Sequence, residues 1–238
     1  MLTPSEIDIT AVVLCGGLGT RIREVLPNKP KVLAEINGVP FIYYLLGKIE
    51  KTGCRNVILC TGHLAEQVES LLGNKYREVT IVYSKESNPM GTGGALLNAE
   101  QYIATNYALV MNGDSFVECD FRDYYYWHVK VGANISMIVK ETSDTSRYGS
   151  LSLGEKDRIT QFQEKVCNYE RAGKFINAGV YLMDHQIFQK IPKTFPVSLE
   201  KEVFPNLLSD GLFGYRIDGH FIDIGTPQSL VEARAYFG

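Results

Sequence analysis

The chain has 238 residues, 45% of them hydrophobic and 21% charged, enough for a substantial core without disulfide staples. Acidic residues outnumber basic ones, 27 to 24, which argues against a nucleic-acid coat. The five cysteines are odd in number and lack a C-x-x-C spacing, which disfavours a disulfide framework or a zinc knuckle and fits a reducing cytoplasm.

The opening "MLTPSEIDITAVVLC" has no basic start and too short an apolar run for a signal peptide, and no later run is long enough to span a membrane. Within it, "ITAVVLC" is continuously apolar and β-branched, the pattern of a strand buried on both faces of a parallel sheet. "VPFIYYLLGKIEKTG" predicts a helix with Pro40 in its first turn, Phe41, Tyr44, Leu45 and Ile49 on one face, and Gly53 at its stop. A strand "NVILCTG", a helix "HLAEQVESLLG", a strand "EVTIVYS", a helix "GGALLNAEQYIA" and a strand "YALVMNGD" follow. This alternation predicts an α/β fold, Rossmann-like, with a mixed but mostly parallel central sheet and helices on both faces. The stretch "DYYYWHV" has aromatics at helical spacing and fits core packing or a contact in a homodimer better than base stacking.

Beyond it the pattern changes to closely spaced strands, "ANISMIVKE", "YGSLSLG", "RITQFQEK" and "KFINAGVYLM", then short helices near His185–Ile191 and Leu199–Leu208. "GYRID" and "HFIDIG" predict a hairpin turning at Asp218-Gly219, and "PQSLVEARAYF" a closing helix. With no linker or repeat, the expectation is a single domain over 1–238, its first half (about 1–118) facing a nucleotide and its second (about 119–238) a second ligand.

Ligands of such sheets bind beyond the carboxyl ends of the strands. Three sequence signals fall there: the loop "CGGLGTR" after the first strand, Asp114 after the fourth, and the segment Ser84–Gly94 after the third. The first loop is bare backbone followed by Arg21, Arg23, Lys29 and Lys31, a pattern suited to a small anion such as phosphate. A plain glycine-rich turn with solvated cations is the alternative. No Walker A run is present, and Ile22 stands where the third glycine of a dinucleotide fingerprint belongs, which disfavours a dinucleotide-dependent oxidoreductase.

"GGLGTR…PKVL", with Arg21 and Lys31 ten positions apart, closely resembles the signature of the sugar-1-phosphate nucleotidyltransferases. "NPMGTGGAL", "NGDS", "YG", "FQEK", "NAGVYL" and "IDIGTP" fall in that family's order along nearly the whole chain. Arg23-Glu24-Val25, where the family often has proline, and the extra Lys29 depart from the pattern. The resemblance implies an enzyme in which a sugar 1-phosphate attacks the α-phosphate of a nucleoside triphosphate and pyrophosphate leaves. It implies Arg21, Lys31 and Asp114 as catalytic residues and Leu14, Gly16, Gly17, Gly19, Thr20, Arg21, Glu86, Gly91 and Thr92 around the nucleotide. Asn112, Gly149, Glu164, Lys165 and Asn177 would meet the sugar phosphate, and Asp114 and Asp223 would hold Mg²⁺. The nucleophile is already ionised, so no Ser/His/Asp or Cys/His set is required, and the four histidines read as structural or solvated. "TSDTSRYG" is a polar loop suited either to a flap over the sugar or to plain surface.

Glu86 falls at the family's base-reading position. A carboxylate accepts the adjacent N1–H and N2 amine of guanine but repels the carbonyl edges of a pyrimidine, so GTP is expected over UTP, dTTP or CTP; a solvated loop acid is the alternative. The compact chain looks most like the guanylyltransferases acting on D-glycero-α-D-manno-heptose 1-phosphate, with mannose 1-phosphate the near alternative. A nucleotide-sugar binding or regulatory protein without turnover is the non-enzyme reading. The complete set Arg21, Lys31, Asp114, Lys165 and Asp223 weighs against it.

Overall fold

In the computed structural model the described residues are 7–17, 19–22, 25–142, 148–163 and 174–238. In chain order the strands and helices begin with β1 (Ile9–Leu14), β2 (Glu35–Ile36), β3 (Val39–Pro40), α1 (Phe41–Lys51), β4 (Asn56–Thr61), α2 (Ala65–Leu72), β5 (Lys75–Tyr76) and β6 (Val79–Lys85). Next come α3 (Gly91–Ala99), β7 (Tyr107–Asn112), β8 (Ser115–Val117), α4 (Phe121–Val131), β9 (Ile135–Glu141), β10 (Ser150–Leu153), β11 (Ile159–Gln163) and β12 (Phe175–Asp184). The last are β13 (Leu212–Ile217), β14 (Phe221–Asp223) and α5 (Pro227–Tyr236).

The main sheet runs β11-β10-β12-β7-β1-β4-β6-β5, and β9 joins β12 to β13. Strands β7, β1, β4 and β6 are parallel, with Leu14 level with Asn112 on one side and Cys60 on the other. The continuous apolar runs have a direct cause. In β1, Ala11 and Val13 feed one core while Val12 feeds the other; in β7, Leu109 and Met111 oppose Ala108 and Val110. Neither face meets water, so neither set of alternating positions is polar. The first core is closed by α1, α2, α4 and α5 through Phe41, Leu45, Val68, Tyr124 and Leu230; the second by Leu96 of α3 and by Phe188 and Phe204 of short turns. In α4, Tyr124, Tyr125 and His128 are buried, so the aromatic stretch packs inward, while Tyr126 and Val129 stay exposed.

The short helices expected near Leu199–Leu208 form as a π turn, Leu199–Val203, running into a 3-10 turn, Phe204–Leu207. One predicted element differs. The predicted hairpin about Asp218-Gly219 does not form. β13 lies parallel to β9, and β14 crosses to pair antiparallel with β8. The chain at the turn is drawn to other partners: Glu118 N–H donates to the His220 carbonyl at 2.8 Å, His220 N–H donates to Glu118 Oε2 at 3.0 Å, and Lys140 Nζ donates to the Gly219 carbonyl at 2.7 Å.

Strand order reverses between β1 and β7, because β4 and β6 extend from one side of β1 and β7 from the other. The crossovers leave a crevice at the carboxyl ends of these two strands, the place where open α/β sheets take ligands.

Candidate active site

A cavity of about 410 Å³ opens at that crevice. Its floor is the end of β1 and the following turn, Leu14, Cys15, Gly16, Gly17 and Gly19; Thr20 opens the short turn Thr20–Ile22, which carries Arg21 to the rim. Glu86 and the start of α3, Gly91 and Thr92, form another wall; Lys31, Asn112, Asp114 and Gly225 form the third. The signals after the first, third and fourth predicted strands therefore meet in one concavity.

The two acids expected to hold metal arrive by different routes. Asp114 follows β7 through Gly113, whose N–H donates to the Leu14 carbonyl at 3.0 Å. Asp223 ends β14, opposite Ser115 of β8, and Ile224 N–H donates to the Asp114 carbonyl at 2.9 Å. The β8–β14 ladder thus carries both carboxylates to one edge. Lys31 stands between them: its Nζ lies 2.5 Å from Asp114 Oδ2 and 3.9 Å from Asp223 Oδ1. A Cβ on Gly225 would come within 2.5 Å of Asp223 Oδ1 and 3.0 Å of Lys31 Nζ, so residue 225 leaves the space this cluster needs. Two carboxylates already bridged by a cation are a fitting donor set for a hard divalent ion completed by phosphate oxygens.

Glu86 is half-buried beneath the glycine turn. Its Oε2 accepts from Met90 N–H at 2.9 Å, and Oε1 faces Gly16, where a Cβ would sit 3.3 Å away. Burial raises its carboxyl above the usual range, and the Met90 N–H pulls the other way. Cys15 is a wall group and no nucleophile: burial first, and the Asp114 charge second, push its thiol up to about 12.

α3 is clamped from behind. Gly93 N–H donates to the Val197 carbonyl and Val197 N–H to the Met90 carbonyl, both at 2.9 Å. Thr92 is engaged on both sides, donating to Glu200 Oε2 at 2.8 Å and accepting Leu199 N–H at 2.8 Å. Glu200 also takes the hydroxyls of Ser198 and Tyr181, and Tyr181 in turn takes Asn177 Nδ2 at 2.9 Å.

Asn177 is buried, its Oδ1 accepting Gly179 N–H, and its own N–H donates to the Gly149 carbonyl at 3.0 Å; neither Asn177 nor Gly149 lines the cavity. Glu164 and Lys165, with residues 143–147 of the polar loop, lie outside the described residues. Sequence reasoning passed over Glu200 and Gly225. Glu200 sits in an irregular turn 108 positions from Thr92, with no local signal; Gly225 was legible only as part of "IDIGTP".

The nucleotidyl transferase family model matches residues 10–237. The chain belongs to this family. It is 33% identical over 225 residues to D-glycero-alpha-D-manno-heptose 1-phosphate guanylyltransferase of Aneurinibacillus thermoaerophilus, covering 94% of this chain and 96% of that one. It is 33% identical over 232 residues to mannose-1-phosphate guanylyltransferase of Mycobacterium tuberculosis, covering 96% of this chain but 64% of that one. HddC from Yersinia pseudotuberculosis complexed with GMP-PN superposes with a TM-score of 0.82 at 29% identity, over 96% of this chain and 99% of that one. For this nucleotidyltransferase, no helix among the described residues is long and apolar enough to cross a membrane.

Proposed function

We propose that this nucleotidyltransferase moves GMP from GTP to a sugar 1-phosphate, with D-glycero-α-D-manno-heptose 1-phosphate the favoured acceptor. The observation that carries the reading is one cavity lined by a bare glycine turn, by Lys31 with Asp114, and by the half-buried Glu86. The relatives named as heptose and mannose 1-phosphate guanylyltransferases and the GMP-PN complex of HddC support the choice of base. Two relatives named as D-glycero-alpha-D-manno-heptose 1-phosphate guanylyltransferases, each 33% identical to this chain, support the heptose acceptor.

In this reading an oxygen of the sugar phosphate forms a bond to the α-phosphorus, the bond from that phosphorus to the bridging β-oxygen breaks, and pyrophosphate leaves with the electron pair. No proton needs to be abstracted. The obstacle is repulsion between two polyanions, so catalysis rests on position and on opposing charge. Backbone N–H groups of the glycine turn cradle phosphate oxygens, and Arg21 holds two terminal oxygens through its fork. Lys31 neutralises charge at the α-phosphate, and Glu86 accepts the two donors of the guanine edge. Asp114 and Asp223 would hold Mg²⁺, which supplies Lewis-acid stabilisation of the charge on the α-phosphate. Asn112, Gly149, Glu164, Lys165 and Asn177 belong to the sugar-phosphate side. Cys15, Cys54, Cys60 and Cys119 are free thiols, which suits the cytoplasmic setting we assign.

The test is pyrophosphate release from each of four nucleoside triphosphates against heptose, mannose and glucose 1-phosphates. GTP with the heptose phosphate is expected to give the highest kcat/KM. A preference for UTP or dTTP would overturn the Glu86 assignment, and release with no sugar phosphate would overturn the reaction.

A further inference from the structure

We infer that Lys31 is a displaceable cation: its ammonium holds the place between Asp114 and Asp223 that a divalent ion would take, and the arriving ion drives it onto the phosphate. This rests on reading Asp114 and Asp223 as the metal carboxylates of the proposed transfer.

Three observations carry it. The Lys31 ammonium contacts both acids, at 2.5 and 3.9 Å, while the side chain is only 12% exposed. This is the position of an ion and not of a surface pair. The space is specific, because a Cβ at Gly225 would press on both Asp223 Oδ1 and Lys31 Nζ. The charge favours exchange: a doubly charged ion attracts a pair of carboxylates more strongly than a single ammonium does. Gly225 N–H donates to Asp223 Oδ1, and Ser115 Oγ donates to Asp114 Oδ1 at 3.1 Å, so both acids are held in place when the lysine departs.

The same side chain cannot neutralise the α-phosphate while it sits on Asp114. A divalent ion and the ammonium repel one another at this range, so occupation of the carboxylates and delivery of Lys31 to the cavity are one event. With the carboxylates occupied, Lys31 would be free to oppose charge on the α-phosphate; until then it is withheld on Asp114.

The test measures Mn²⁺ binding by isothermal titration with no nucleotide present, so that it is independent of base, sugar and turnover. Lys31→Met removes the competitor and is expected to bind Mn²⁺ about tenfold more tightly than the native chain. Asp114→Asn is expected to bind it more weakly than either. A Lys31→Met affinity equal to or below the native one, with binding lost in Asp114→Asn, overturns the displacement and leaves the metal assignment standing. Binding indifferent to Asp114→Asn overturns both. A second measurement needs no variant: acetylation by acetic anhydride, mapped by mass spectrometry, with exposed Lys193 as the internal standard. Labelling of Lys31 is expected to rise several-fold on saturation with Mn²⁺. Labelling that stays constant or falls overturns the displacement.

Discussion

Thr92 donates its hydroxyl to Glu200 at 2.8 Å, joining the first turn of α3 to an irregular turn 108 positions away. Glu200 holds Ser198 and Tyr181 as well, so one carboxylate closes the back wall of the cavity. Glu200→Ala removes the acceptor that three hydroxyls share. We expect a loss of about 2 kcal/mol in urea denaturation and a raised KM for the nucleotide, with Glu200→Gln recovering part of both. Unchanged stability and KM in Glu200→Ala would show that the link is incidental.

Gly91 sits at φ +76, and a Cβ there would fall 2.4 Å from the Val197 carbonyl oxygen. Both the backbone region and the contact exclude a side chain. Gly91→Ala should lower stability by about 2 kcal/mol or more and loosen the segment that clamps α3, read by denaturation and by faster hydrogen exchange at Gly93. A variant as stable as the native chain would contradict the packing.

Glu86→Gln should shift base preference. The amide offers one acceptor where the carboxylate offers two, and its N–H suits a pyrimidine carbonyl. The kcat/KM ratio for GTP over UTP should fall by about a hundredfold. Burial raises the Glu86 carboxyl, so its ionised form is disfavoured by the fold: the native chain is favoured below the unfolded pKa, and that contribution is lost as pH rises through the folded one. Glu86→Gln should therefore be no less stable than the native chain at neutral pH. An unaltered GTP-to-UTP ratio would remove Glu86 from the base site.

His128 is fully buried on α4, its Nδ1 2.7 Å from Ser136 Oγ, and burial lowers its pKa from 6.5 to about 4. The unfolded chain binds the proton more readily in that interval. Stability from the neutral ring is complete above pH 6.5 and drains away as pH falls toward 4, by about 3 kcal/mol at most. Denaturation midpoints between pH 7 and 4 should fall more steeply in the native chain than in His128→Asn. Parallel slopes would contradict the assignment.

Much of this architecture is legible in local pattern. Ile9–Leu14, Asn56–Thr61 and Tyr107–Asn112 announce buried parallel strands because both faces are covered, and their carboxyl ends then place the glycine turn and Asp114. What escapes is what depends on distant partners. Asp218-Gly219 has the composition of a hairpin turn, yet composition reports backbone freedom and not which strand lies alongside; Glu118 and Lys140 decide that. The contacts of Glu200 with Thr92 and Tyr181 likewise carry no local signal, because the three residues meet only in the folded chain. Lys31 could be read as a phosphate cation, but its contact with both acids is a property of the folded chain alone.

The central claim is that opposed charge at Lys31, Asp114 and Asp223 carries nucleotidyl transfer. Its most direct measurement is the turnover of Asp114→Asn with GTP, Mg²⁺ and heptose 1-phosphate, taken beside its thermal midpoint. We predict a loss of about a thousandfold in kcat with the midpoint within a few degrees of native. A folded Asp114→Asn enzyme working within about tenfold of the native rate would contradict the account.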